Sequence, residues 1–293
     1  MHFCFIIESA YRHEQMPIVI ARKLMQWGHN VDLLEPQSTI TSLTEMTRTD
    51  YDAYVLKTVS DGPGLSILEA AEAAGIPTIN HSRAIRLVRD KAIATARAIA
   101  HNLPTPLTYF VAHPSLLSQV PVDDYPLVIK PTNGSSCRAI YKVNSPADLA
   151  ALDTSEAGNS FFLAQHYVEN SGYDVKLYVA GAQVFAIAKR SPLHPDVEVN
   201  KHLIPINLEW RELALRVGEI FGLDIYGLDI VETANGPVVV DVNDFPSFGR
   251  VPDAINLVAA QIVDIAAKRI RQRISQSIYE RRPGLMNEVS ASA

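Results

Sequence analysis

Cysteine is scarce: Cys4 and Cys137 are the two in 293 residues. Two thiols make no disulfide framework, and they fit a reducing compartment. Long apolar runs are missing as well. No stretch approaches the ~18 residues that would cross a bilayer. The apolar start, residues 2–7, has neither the basic flank nor the length of a secretory leader. An excess of positive charge is also missing. Lys+Arg total 26 against 32 Asp+Glu, a net charge of −6. That balance argues against nucleic-acid backbone as the main partner, while leaving room for a local basic pocket. Neither Gly-x-x-x-x-Gly-Lys nor Gly-x-Gly-x-x-Gly occurs, which removes the common helix-based phosphate cradles. There is no internal repeat and no low-complexity linker. The expectation is a soluble, cytoplasmic, globular protein with no nucleic-acid or membrane partner.

What is present is ordinary globular composition, 47% hydrophobic and 20% charged. A chain of this length buries roughly 75% of its unfolded surface without staples, and at ~150 residues per domain it holds about two domains or one large α/β unit. The first third alternates strand and helix. Residues 2–7 read as a buried strand, and 17–27 as a helix with Ile20, Leu24 and Trp27 on one face and Gly28 as its stop. Strands at 31–34, 54–59 and 76–79 follow, with Asp61-Gly62-Pro63 as a turn that opens a helix to Ala74. That βαβ rhythm gives a parallel sheet covered by helices. Residues 82–100 read as one helix, with Ile85, Val88, Ala92, Ala96 and Ile99 in phase and Ser82 as its cap. Strands at 107–112, 126–130, 139–143, 161–168, 174–179 and 183–189, a short helix at 146–152 and a turn at Ala180-Gly181-Ala182 make an α+β block with antiparallel pairing. A helix at 208–221 stopped by Gly222, strands at 225–232 and 237–243 and a terminal helix at 253–274 complete the chain. Beyond Ser275 the periodicity is lost, and the sequence reads as a loose tail.

The most informative segment is Tyr226-Gly-Leu-Asp-Ile-Val-Glu-Thr-Ala-Asn-Gly-Pro-Val-Val-Val-Asp-Val-Asn-Asp-Phe-Pro246. Asp229 interrupts one apolar strand; Asp241 and Asn243 interrupt the next. Acids inside apolar strands are costly unless paired or bound to metal. Val238, Val240 and Val242 share one face, so Asp241 and Asn243 share the other, and Leu228 and Ile230 lie opposite to Asp229. Matching the apolar faces puts 228 across from 242 and 230 across from 240. A two-residue Asn235-Gly236 turn is one residue out of that register, so the spacing predicts an odd loop or a bulge. Asp229 then faces Asp241 beside Asn243, and three oxygen ligands on one face suit magnesium. The plainer alternative, solvated edge acids, sits poorly with the Val and Ile runs around them.

Lys130 ends the apolar strand Pro126-Leu-Val-Ile-Lys130, a point charge at a strand end where a phosphate can be held. The loop after it, Thr132-Asn-Gly-Ser-Ser-Cys-Arg138, can lay backbone N–H groups on phosphate oxygens, although such loops are more often plain hairpins. Taken singly, Lys91 is a solvated helix charge and Gln165-His-Tyr-Val168 an ordinary strand end.

The order of these parts is more telling than any one of them. It runs from a βαβ unit through a helix carrying Asp90-Lys91, a strand ending Ile129-Lys130-Pro131, a flexible loop and a strand ending Gln165-His-Tyr-Val168. Tyr173-Asp-Val-Lys-Leu-Tyr-Val-Ala-Gly181, Gly227-Leu-Asp229 and Asp241-Val-Asn-Asp-Phe-Pro246 follow. Together they resemble the ATP-grasp superfamily over residues 1–270. The chain is similar to the RimK-like carboxylate-amine ligases and shares features with the inositol tris/tetrakisphosphate kinases.

The resemblance implies an α/β ATP-grasp fold, α+β in its central part. A pre-ATP-grasp βαβ domain would span 1–81, an ATP-grasp domain 82–275 with a lid subdomain near 104–168, and a flexible tail 276–293. It implies ATP and one or two Mg2+ ions, with Mn2+ as an alternative. Lys91 and Lys130 would hold ATP phosphates, Gly134, Ser135 and Ser136 would form the lid loop, and Gln165 to Val168 would be the adenine hinge, with the backbone near Tyr167 and Val168 reading the base. Asp174 would lie near the ribose, and Asp229, Asp241 and Asn243 would bind the metal. Lys176 and Arg190 match basic residues near the transferred phosphate. Asn200 and Arg250 are candidates for acceptor contact. A homodimer through the first domain is the expected assembly.

Two activities fit these parts. In the first, ATP phosphorylates a carboxylate and an amine attacks the acyl phosphate, giving an amide, ADP and phosphate; the substrates would be amino acids or peptides. In the alternative, a kinase acts on a polyol or its phosphate, which the Asp-x-Asn-x-Phe-Pro stretch and Lys201-His202 favour but the scattered basic residues do not. A nucleotide-binding protein without chemistry would have little reason to keep every candidate ligand. The remaining reactive residues have plain readings: Cys137 a bystander in the loop, His166 contributing its backbone, and His194 and His202 solvated.

Overall fold

The computed structural model describes residues 1–11, 15–57, 62–132, 140–152 and 161–280. The first unit holds β1 (His2–Ile7), α1 (Gln15–Gln26), β2 (Asn30–Leu34), α2 (Leu43–Met46), β3 (Ala53–Lys57), α3 (Gly64–Ala73) and β4 (Thr78–Ile79). Its sheet has the order β2-β1-β3-β4, with β1 parallel to β2 and β3, and β3 parallel to β4. The strand β1 is apolar on both faces because both are covered. Phe3, Phe5 and Ile7 pack on Ile20 and Leu24 of α1, while Cys4 and Ile6 pack on Leu65 and Leu68 of α3. Burial pushes the Cys4 thiol up to about 12, with help from Asp32. Trp27, expected on the buried face of α1, lies past its last turn and is exposed.

The helix expected over 82–100 is two helices, α4 (Ser82–Arg89) and α5 (Lys91–Ala100). Asp90 between them is extended, and its carboxylate accepts the N–H groups of Ala92 at 2.9 Å and Ile93 at 3.1 Å. It is therefore the N-cap of α5. Ser82 does not cap α4; its own N–H donates to Glu72 Oε2 at 2.8 Å.

A second, antiparallel sheet has the order β5-β8-β6-β7, from β5 (Thr108–Val111), β6 (Leu127–Pro131), β7 (Tyr141–Val143) and β8 (Phe162–His166), with α6 (Pro146–Ala150) beside it. A third has the order β11-β10-β9-β12-β13. It comprises β9 (Tyr173–Ala180), β10 (Gln183–Arg190), β11 (His202–Ile204), β12 (Ile225–Thr233) and β13 (Gly236–Asp244). Strand β11, three residues at the sheet edge, is too short to show as a pattern in the sequence.

Helix α7 (Leu208–Phe221) starts on Asn207, whose side chain accepts Trp210 N–H, and ends at Gly222 with φ +72°. Its Trp210, Leu213, Ala214 and Val217 cover Val175, Leu177, Leu228 and Ile230 on one face of the third sheet. The last helix, α8 (Ala254–Glu280), runs beyond Ser275, so residues 276–280 are helical rather than loose. Its Val258, Ala259 and Ile262 join the third sheet's Tyr178 and Ile225 to Phe3 and Phe5 of β1 in one core.

The hairpin between β12 and β13 resolves the register question. Thr233 pairs with Gly236 across a two-residue Ala234-Asn235 turn, and the pairing holds through Ile230–Val239. It then shifts, so that Asp229 faces Asp241, Leu228 faces Val242 and Gly227 faces Asn243. The bulge, and not an odd loop, supplies the extra residue; 230 meets 239 rather than 240.

Candidate active site

Strand alternation and this register place Asp174, Lys176, Lys189, Asp229, Asp241 and Asn243 on one face of the third sheet, opposite the face that α7 covers. The side chains meet. Lys176 Nζ donates to Asp229 Oδ2 at 3.1 Å, and Asn243 Nδ2 approaches the same oxygen at 3.3 Å. Lys189 Nζ lies 2.9 Å from Asp229 Oδ1 and 3.7 Å from Asp174 Oδ2. Lys91, at the first turn of α5, donates to Asp241 Oδ1 at 2.8 Å.

Burial alone would raise the Asp229 carboxyl, but Lys176 and Lys189 outweigh it and hold Asp229 well below the usual carboxylate range. Asp174 goes the other way: its burial raises it, and Lys189 offsets only part of that. Asp229 Oδ1 is buried and receives no well-directed hydrogen bond; Lys189 neutralises it by proximity. A buried anionic oxygen without a directed donor, beside Asp241 and the amide oxygen of Asn243, forms a hard-oxygen donor set that fits magnesium.

Lys130, at the end of β6, is buried, and its ammonium donates to Val240 O at 2.8 Å. Lys91 N–H bonds to Thr132 O at 2.9 Å. Lys91 and Lys130 thus meet at the seam between the second and third sheets, and Lys91 is not the solvated charge that its helix position suggested. Gly134, Ser135, Ser136 and Cys137 lie outside the described residues.

At the other end of the seam, Gln165 is buried and donates to Thr108 Oγ1 at 2.9 Å. Tyr167 N–H is engaged by Pro126 O at 2.8 Å, and Val168 O accepts from Asn170 Nδ2 at 2.8 Å. The Tyr167 ring carries Lys142 Nζ 3.4 Å from its centroid, and its hydroxyl lies 2.7 Å from His194 Nε2. His194, expected in solvent, is tied to this segment instead.

Three expected residues stand apart. Arg190 follows Lys189 on β10, so alternation turns it away from the acidic face; it is exposed and donates to Pro195 O. Asn200 and Arg250 are exposed, and the Asn200 carbonyl lies 2.6 Å from His202 Nδ1. Lys189, in the sequence one of several scattered basic residues, is the cation whose place beside Asp229 was missed. Closing β9 and β10 with a two-residue Gly181-Ala182 turn pairs Lys189 with Asp174, so the signal lay in the turn.

The RimK-like ATP-grasp domain family matches residues 88–266, more than half of the chain. A probable alpha-L-glutamate ligase of Haemophilus ducreyi is 30% identical over 213 residues, covering 69% of this chain and 69% of that protein. One of Parasynechococcus marenigrum is 28% identical over 229 residues, covering 73% of this chain; the match spans about half, 49%, of that relative's length. Among solved structures, a RimK domain ATP-grasp protein of Sphaerobacter thermophilus superposes with a TM-score of 0.68 at 21% identity, over 89% of this chain and 99% of that one. The chain belongs to the RimK-like ATP-grasp family, a class of ATP- and magnesium-dependent enzymes that ligate a carboxylate to an amine. No helix among the described residues is long and apolar enough to cross a membrane.

Proposed function

We propose that this protein joins the amino group of an acidic amino acid such as glutamate to the carboxylate of a small acid or peptide, through an acyl phosphate. The observation that carries this reading is the acidic face of the third sheet, where Asp229, Asp241 and Asn243 converge within reach of Lys91, Lys176 and Lys189. The choice of glutamate is supported by what the matching relatives are named for.

On this reading the acceptor carboxylate oxygen attacks the γ-phosphorus, the bond to the β-phosphate oxygen breaks, and ADP leaves. The amine then attacks the acyl carbon and expels phosphate, losing a proton. Little covalent help is needed; charge neutralisation and alignment carry the catalysis. Lys91 and Lys130 take the β- and γ-phosphate oxygens, and Lys176 and Lys189 balance the charge on the transferred group. Asn200 and Arg250, exposed at the rim, would contact the acceptor; Arg190, turned to the other face of β10, is left out of this scheme. Gln165, Tyr167, Val168 and Asp174 line the nucleoside. Asp229, Asp241 and Asn243 would hold one or two magnesium ions, or manganese, which when bound neutralise phosphate charge. Residues 1–81 would form the preceding domain, and 82–275 the ATP-grasp domain with its lid near 104–168.

A phosphate balance tests this. With ATP, magnesium, glutamate and a pool of carboxylic acids and peptides, equal ADP and free phosphate should accompany a product lighter by one water than its two parts. ADP without free phosphate, and a product heavier by one phosphoryl group, would replace the ligase with a kinase.

A further inference from the structure

Among the ion pairs around the candidate metal oxygens the charges cancel. Asp174, Asp229 and Asp241 face Lys91, Lys176 and Lys189, three carboxylates against three ammonium groups. Asp229 is held from two sides, with Lys176 Nζ on Oδ2 at 3.1 Å and Lys189 Nζ by Oδ1 at 2.9 Å. These side chains are mostly buried, 15% and 20% exposed for the lysines against 11% for Asp229. Their attraction is therefore screened less than that of a surface pair.

A neutral cluster has no net charge with which to strip water from a divalent cation, and magnesium gives up water reluctantly. A cation can reach Asp229 only as an ammonium group leaves it. Nucleotide phosphates change that balance, because they bring several negative charges to which lysines can move.

We propose that Lys176 and Lys189 are built-in counter-ions of Asp229, which keep divalent metal off this face until nucleotide phosphate draws them away. Metal then binds here only in company with nucleotide. This rests on reading Asp229 and Asp241 as metal ligands.

The test counts free Mn2+ by electron paramagnetic resonance, with and without ADP. It compares the wild-type protein, Lys189→Met, Lys176→Met and Lys189→Arg, with circular dichroism to confirm that each is folded. The wild-type protein should take up Mn2+ with ADP and far less without it. Lys189→Met should bind Mn2+ alone roughly tenfold more tightly than wild type, the lower end of the effects seen for groups beside metal ligands. Adding Asp229→Asn should remove the gain, and Lys189→Arg, which keeps the charge, should behave as wild type. If Lys189→Met does not fold, Lys176→Met carries the comparison with the same expected direction. Equal Mn2+ affinity in wild type and both Met variants without ADP would overturn the proposal, as would equal wild-type affinity with and without ADP. If ADP brings no Mn2+ to the wild-type protein and Asp229→Asn changes nothing, the metal-ligand reading fails, and the proposal fails with it.

Discussion

Lys130 Nζ donates to Val240 O at 2.8 Å, and Val240 is the residue that the bulge in β13 leaves without a partner on β12. One irregularity does two things. A bulge frees backbone groups of the ladder, and here the freed carbonyl receives a lysine of the second sheet. The same extra residue also turns Asp241 onto the face of Asp229; the register nearer the turn, continued, would have set Val240 opposite Asp229. Beside it, Val239 N–H donates to Pro104 O at 2.8 Å, so the outer edge of β13 is fastened twice to the segment that leads into and forms the second sheet.

If Lys130 also holds nucleotide phosphate, Lys130→Met should weaken nucleotide binding as well as the fold. A hydrogen bond to a charged group is worth about 1.5–3 kcal/mol, which is about 10–100-fold in Kd. Titration calorimetry with Mg-ADP measures it. An unchanged Kd in a folded variant would remove Lys130 from the nucleotide site.

Asp241→Asn separates metal from nucleotide. If Asp241 is a metal ligand, the variant should bind ADP no better with magnesium than in EDTA, whereas wild type should gain affinity when magnesium is added. A variant that keeps the full magnesium effect would exclude Asp241 as a ligand.

The legible parts of the fold were those with local causes. The α7 boundaries follow from the Asn207 cap and the αL glycine at 222, and the carboxylate pair follows from strand parity. The break at Asp90 was hidden because Val88 and Ala92 keep the apolar phase across it; the signal was an aspartate ready to cap the next two N–H groups. Lys189 and Arg190 could not be told apart by composition. Adjacent residues of a strand face opposite ways, so the choice waits on the partner strand. His194 reaches Tyr167 across 27 residues, and no local pattern announces such a contact.

Glu72 gives a pH-dependent stability. Its carboxylate accepts Thr78 Oγ1 and Ser82 N–H, each at 2.8 Å. Burial raises its pKa, but these bonds outweigh it and hold Glu72 below the ordinary value. A depressed folded pKa contributes stability that is full above the unfolded value of about 4.3 and is lost as pH falls through the folded pKa. Glu72→Ala should cost about 1 kcal/mol at neutral pH, the typical value of a lost helix-end bond. The gap to wild type should close as urea unfolding is repeated below about pH 4. A gap that does not vary with pH would mean that packing, not the carboxylate, is what the substitution removes.

Asn80 joins the first sheet to the third, and both polar atoms of its side chain are engaged. Nδ2 donates to Ile225 O at 2.7 Å, and Oδ1 accepts the N–H groups of Asp224 and Ile225, both at 2.9 Å. The residue is 0% exposed, so water cannot replace it. Asn80→Ala would strand these groups at about 1–3 kcal/mol for each left unsatisfied; with partial relaxation the loss should be about 2–4 kcal/mol in denaturant unfolding. Asn80→Asp keeps the acceptor but sets a carboxylate oxygen against Ile225 O, where a donor is required. Its burial should raise its pKa, so the variant should be least stable at neutral pH and recover as it is protonated, when the acid can donate again. Equal stability of the two variants at every pH would show that Asn80 serves by shape and not by its hydrogen bonds.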